Sequence, residues 1–169
     1  MINENSSTIE RIELQSSLDS LRIVEELIDR VLGDYSFPED AYGNVLIAVT
    51  EAINNAIVHG NINVSTKKII LEVNDNSSSI TFSIKDEGVG FDFDNLPDPT
   101  APENIEKPHG RGVFLMKSLA DEVNFYDNGS KVEPSIFNIN ISEEVPILNI
   151  NLKGNYTTQQ LKKYGEYLK

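Results

Sequence analysis

Glu51, Asn55 and His59 stand four residues apart, so on a helix they form one slowly drifting polar stripe. Val45, Val49, Ala52, Ile53, Ala56 and Ile57 cover much of the remaining surface and read as packing. A helix apolar over most of its circumference is mostly buried, so its polar stripe must be hydrogen-bonded internally or face a cleft. Magnesium offers one use for it. The ion prefers oxygen ligands, keeps several waters, and takes one or two protein ligands beside substrate phosphates. Asn55 can supply one neutral oxygen, and Glu51, one turn earlier, can orient or deprotonate a nucleophile. A solvated face with an i, i+4 hydrogen bond explains the same spacing equally well. His59, just before Gly60, reads as a partner for the helix C-terminal dipole rather than as a ligand.

Two further segments carry chemistry. Asp86 directly follows the alternating run ITFSIK, and Gly88 and Gly90 free the backbone after it for positive φ or for close approach of a flat ligand. A carboxylate fixed at a strand end accepts hydrogen bonds, and the exocyclic amine of adenine donates one without carrying charge. Alone, this segment is also an ordinary Asp/Gly turn. His109-Gly110-Arg111-Gly112 then leads straight into VFLMKSLA. Backbone N–H groups at a helix start, made accessible by glycine, attract phosphate oxygens, and Arg111 can add a charge-assisted contact. Neither the Walker spacing nor the dinucleotide fingerprint is present. A flexible hinge before an amphipathic helix is the plain alternative.

The elements that must hold these groups follow from the pattern. Thr8–Leu14 alternates as a first strand. A helix capped by Ser17 or Asp19 has apolar positions Leu21, Val24, Leu27, Ile28, Val31 and Leu32, and Gly33 ends it. Ser36-Phe-Pro-Glu-Asp40 starts a second helix, which continues to about His59. Lys68–Asn74 and Ile80–Lys85 make a hairpin across DNSSS. Phe91–His109, with four prolines and no apolar period, is a long loop of the kind that serves as a lid. Gly110–Ala120 is helical. Asp121–Tyr126 and Ser135–Ile141 are strands around an Asn128-Gly129 turn. Ile147–Leu152 and Thr157–Leu168 are candidates for a last strand and helix. Pro134 cannot donate to a ladder, which predicts a bulged or edge position for its strand.

Composition sets the outer bounds. The chain has 169 residues, enough for one domain with a sizeable core, and 39% of them are apolar. It has no cysteine, which excludes a disulfide, a thiolate zinc site and a cysteine nucleophile. No apolar run is long enough for a membrane span, and MINENSSTIERIE lacks the features of a secretory leader. A cytoplasmic location is the expectation. A net charge of −13 argues against direct contact with nucleic acid or an anionic membrane and permits a basic protein partner.

Taken together and in this order, EAINNAIVHG, DEGVG and GRGVFLM resemble the N box and the two glycine boxes of one ATPase superfamily. Its members are the ATP-binding domains of DNA gyrase, heat-shock chaperones, histidine kinases and mismatch-repair proteins. EAINNAIVHGN, the loop FDFDNLPDPTAPENIEKPHGRG and GVFLMKSLADEV are closest to its anti-sigma-factor serine kinases. The similarity covers roughly Ile9–Ile141.

The resemblance implies an α+β fold of the Bergerat type, a two-layer α/β sandwich. Its sheet is mixed and mainly antiparallel, with helices on one face. It implies ATP and Mg2+ as cofactors, with Asn55 as the metal ligand and Glu51 as the catalytic base that activates a serine hydroxyl. Asp86, supported by Gly88 and Gly90, would bind adenine, while Gly110, Arg111 and Gly112 would bind the phosphates. Ser135 is the candidate for the threonine that the family places in a late strand. The implied partners are a STAS-type antagonist, which is phosphorylated, and a sigma factor, in a partner-switching system that commonly involves a homodimer. Residues 1–142 would form the ATPase domain and 143–169 an extension packed on it. A non-catalytic, ATP-gated binding module of the same fold is the alternative. A histidine kinase reading fails because neither His59 nor His109 is placed as a phosphoacceptor, and no paired-carboxylate spacing supports a hydrolase.

Overall fold

The computed structural model describes residues 7–35, 39–75, 79–104 and 110–137. Strand β1 (Ser7–Gln15) leads into helix α1 (Ser20–Gly33), and helix α2 (Glu39–Asn55) continues as a π-helical turn (Ala56–Gly60). Strands β2 (Lys68–Asp75) and β3 (Ser79–Asp86) follow. A single 3-10 turn (Pro102–Asn104) interrupts the long loop, and then come helix α3 (Arg111–Leu119) and strands β4 (Glu122–Tyr126) and β5 (Lys131–Phe137).

Periodicity explains the helices. On α1, Val24, Leu27, Ile28, Val31 and Leu32 are buried, the i, i+3, i+4 stripe that faces a sheet. Asp19 takes the N-cap position without a side-chain cap bond, and the Ser17 hydroxyl oxygen accepts the Asp19 N–H at 3.3 Å. On α2 the expected packing residues Val45, Val49, Ala52 and Ile53 are all buried, as are Ala56 and Ile57 in the turn that follows. Ile69, Leu71 and Val73 of β2 and Ile80, Phe82 and Ile84 of β3 face them, forming one core between helices and sheet.

The sheet order is β1-β2-β3-β5-β4, and each pairing among the described residues is antiparallel. The mixed sheet expected from the resemblance is thus antiparallel throughout this region. β5 returns to fill the gap between β3 and β4. This corrects the expectation for Pro134. Its strand is interior, and its register is continuous: Ile80 pairs with Ile136, Thr81 with Ser135 and Ile84 with Val132. Ser135 directs its carbonyl toward Asp121, so the adjacent Pro134 turns its nitrogen toward β3. The ladder accordingly has a gap opposite Phe82 and Ser83, where the missing N–H would have donated. On its other side Pro134 pairs with Val123.

The expected cap at Ser36, most of the DNSSS turn, His109 and the C-terminal strand and helix lie outside the described residues, as does the 143–169 extension.

Candidate nucleotide site

A cavity of about 280 Å³ opens between the C-terminal half of α2, the N-terminus of α3, the root of the long loop and the ends of β3 and β5. The N-box helix supplies Ala52, Asn55, Ala56, His59 and Gly60. Ile84 and Asp86 come from β3, Val132 from β5 and Phe125 from β4. Phe91 and Leu96 of the loop and Gly110, Gly112, Val113 and Met116 around the start of α3 complete most of the wall. Apolar walls with few convergent polar groups are the usual character of a small-molecule site.

At one end, Glu51 and Asn55 sit one turn apart on α2, and α3 begins against them. Gly112 is what allows the contact: a Cβ there would lie 2.8 Å from Glu51 Oε2 and 3.1 Å from Asn55 Oδ1. No larger residue could bring the α3 backbone so near both groups. Glu51 is half-buried, and burial raises its carboxyl above the ordinary value of 4.5. Glu51 lies just beyond the cavity lining, while Asn55 lies within it. Gly110 takes the left-handed conformation at the α3 N-cap, with φ of 87°. Arg111 is the first residue of α3 and is not among the residues lining the cavity. Among the described residues no cluster of three or more acidic or histidine side chains is placed to hold a metal ion. An ion here would rest on Asn55, water and phosphate oxygens, and that donor set suits magnesium.

At the far end, Asp86 closes β3 and faces the cavity. Its Oδ1 accepts the Gly88 N–H at 2.7 Å. Burial raises the Asp86 carboxyl above its ordinary 3.8, against the lowering effects of that hydrogen bond and of Lys67. Gly60 packs directly on the carboxylate: a Cβ there would meet Asp86 Cγ at 2.3 Å, and a Cβ on Gly88 would meet the Gly60 carbonyl oxygen at 2.2 Å. Gly90 lines the cavity, and the Phe91 N–H beside it donates to the Asn128 carbonyl at 2.7 Å.

The structure therefore draws together Glu51, Asn55, Asp86, Gly88, Gly90, Gly110 and Gly112 from three separate segments. It leaves Ser135 out. Thr81 and Ser135 alternate with Ile80, Phe82 and Ile84, which places them on the outer face of the sheet. Their hydroxyls are 2.9 Å apart and bond each other. Ser130 is the serine near the site instead. Its carbonyl accepts the Asp86 N–H at 3.0 Å, while its hydroxyl donates to the Asp127 carbonyl and is not part of the cavity lining. His59, expected only as a helix-end partner, also lines the cavity.

Sequence reading missed several contributors. Gly60 figures in the sequence only as the residue after His59, and Gly129 only as part of a turn, yet both line the cavity. Phe91, Phe93 and Phe125 form an aromatic cluster, with Phe93 and Phe125 stacked at 4.8 Å, which fixes the root of the loop against β4. The signal available was the FDF run immediately after Gly90. Among the described residues no helix is long and apolar enough to cross a membrane.

The chain has relatives among known proteins. The family model of the histidine kinase-like ATPase domain matches residues 14–134. The anti-sigma F factor of Clostridium perfringens is 30% identical over 96 residues, covering 53% of this chain and 67% of that protein. The serine-protein kinase RsbW of Bacillus cereus is 28% identical over 133 residues, covering 73% of this chain and 82% of that protein. A crystal structure of RsbU and RsbW domains from Mycobacterium tuberculosis aligns at 14% identity with a TM-score of 0.49, over 75% of this chain and 30% of that one. The family match spans most of the chain and includes α2, Asp86 and the start of α3, so this protein belongs to the histidine kinase-like ATPase family, in its anti-sigma-factor serine kinase branch.

Proposed function

We propose that this chain is an ATP-dependent protein serine kinase that phosphorylates a STAS-type antagonist and, in alternation, binds a sigma factor. The observation that carries the reading is the contact of Gly112 with both Glu51 and Asn55. A bare nucleotide-binding pocket has no need of a carboxylate there. A kinase does, since phosphoryl transfer requires little beyond positioning, charge stabilisation and a place for the proton.

In this reading ATP lies with its base at Asp86 and its phosphates at Asn55 and the start of α3. Magnesium, when bound, neutralises phosphate charge. Glu51 takes the proton of the incoming serine hydroxyl. The serine oxygen forms a bond to the γ-phosphorus, the bond from that phosphorus to the β–γ bridging oxygen breaks, and ADP leaves. The raised Glu51 carboxyl suits a general base, because burial makes it hold a proton more firmly than an ordinary glutamate does.

Incubation of the purified chain with γ-labelled ATP, magnesium and a STAS protein encoded beside it is expected to label a serine of that protein. The Glu51→Gln variant is expected to bind ATP without transferring label. Labelling that survives unchanged in Glu51→Gln, or no labelling of any neighbouring STAS protein, would overturn the reading.

A further inference from the structure

We infer that Asn61 is a positioning residue for base recognition, one that fixes the Asp86 carboxylate without touching the nucleotide. The inference rests on the nucleotide reading given above.

Asn61 follows the π-helical turn and is fully buried, at 0% exposure. A buried amide must find partners for both its ends. Its Nδ2 donates to the Lys68 carbonyl at 3.0 Å, and its Oδ1 accepts the Glu87 N–H at 2.9 Å. The two partners admit only one orientation of the amide, since Glu87 offers a donor and Lys68 an acceptor. The Lys68 N–H in turn donates to Glu87 Oε2, which closes a ring of three hydrogen bonds. The Asn61 N–H donates to the Ala56 carbonyl at 2.7 Å, the i to i+5 bond that closes the wide turn.

Each of these contacts ends beside the base site. Glu87 is the residue after Asp86, and Lys68 precedes Ile69, the register partner of Asp86. Gly60, the residue before Asn61, packs on the Asp86 carboxylate itself. Asn61 therefore sets the two backbones that flank Asp86, one from the helix and one from the strand. Glu51 and Asn55 lie upstream of the wide turn, on regular α-helix, outside this ring. Loss of Asn61 would free the carboxylate to shift while the phosphate-side groups stay in place. The expected signature is weaker discrimination of the base, with phosphate binding preserved. A role confined to general stability would weaken every ligand alike.

The test is calorimetric titration of the full chain with ATP, ITP and inorganic tripolyphosphate. ITP carries a carbonyl where ATP carries the exocyclic amine, and tripolyphosphate has no base. For Asn61→Ala, ATP affinity is expected to fall about tenfold, the loss typical of one well-placed hydrogen bond. ITP and tripolyphosphate affinities should change little, so the preference for ATP over ITP narrows. Glu87→Ala removes one side of the ring at an exposed side chain and should narrow the preference in the same direction by a smaller factor. That variant decides the matter if Asn61→Ala does not fold. An equal loss for all three ligands, or an unchanged preference in Glu87→Ala and in any folded Asn61→Ala, would overturn the inference alone. No ATP binding by the unaltered chain would overturn the nucleotide reading with it.

Discussion

Glu51 has the physical profile of a base held in reserve. Burial disfavours its charged form, so it ionises above the ordinary glutamate range. Glu51→Gln keeps the shape and removes the base. Its transfer rate is expected to drop by about a hundredfold or more, while ATP affinity stays within a few-fold, as quench-flow and equilibrium binding would show. The pH profile follows from the same shift. Transfer should decline as pH falls through the raised value of Glu51, at a higher pH than an unperturbed glutamate would give. A profile that stays flat down to the ordinary carboxylate range would remove Glu51 from the role. Much of this was legible in the residues themselves. Glu51, Asn55 and Asp86 announce themselves as polar groups inside apolar runs. Ser130 did not, because its place depends on Asp86 N–H reaching across from another strand. Ser135 looked better placed only because the face it occupies cannot be known before the register is.

At the scale of elements, the site depends on α3 starting directly on α2. Gly112→Ala would put a methyl group 2.8 Å from Glu51 Oε2 and little over 3 Å from the Asn55 amide. The obstacle is the end of a flexible side chain, so the fold can yield, and alanine is the better helix former by roughly 1 kcal/mol. The expected variant is therefore folded, with a melting temperature near that of the parent, yet at least tenfold slower in transfer because its base is displaced. Equal activity would show that the close approach is incidental. The long helix and its apolar face were readable from spacing, and so were the turn at Asn128-Gly129 and the presence of a long loop after Gly90. The π-helical turn was not. Its defining bond from Asn61 to Ala56 is set by the tertiary ring around Lys68 and Glu87, which no local pattern encodes. The interior place of β5 was equally hidden, since proline argues locally for an edge and only strand order decides otherwise.

For the molecule as a whole, the two half-buried carboxylates are a standing cost to stability at neutral pH. Both hold a proton more tightly when folded than when unfolded. Their contribution to stability is therefore fully present below the ordinary carboxylate range and lost as pH rises through their raised folded values. The double variant Glu51→Gln, Asp86→Asn should melt higher than the parent at neutral pH. That advantage should shrink as the pH is lowered toward the ordinary values of 4.5 and 3.8. Thermal melts across the acid limb would check it, and a pH-independent difference would count against buried charge as the cause. The order of strands has a consequence in time as well as in space. Thr81 and Ser135 meet across 54 residues of chain, because α3 and β4 lie between β3 and β5 in sequence. Long-range pairings of this kind close late, once the entropy of the intervening loop has been overcome. Val132, on the cavity wall, should accordingly show a low φ-value. Val132→Ala is expected to accelerate unfolding while leaving the refolding arm of a chevron nearly unmoved. The helix and hairpin that carry Asn55 and Asp86 are then expected to condense before the far wall of the cavity joins them.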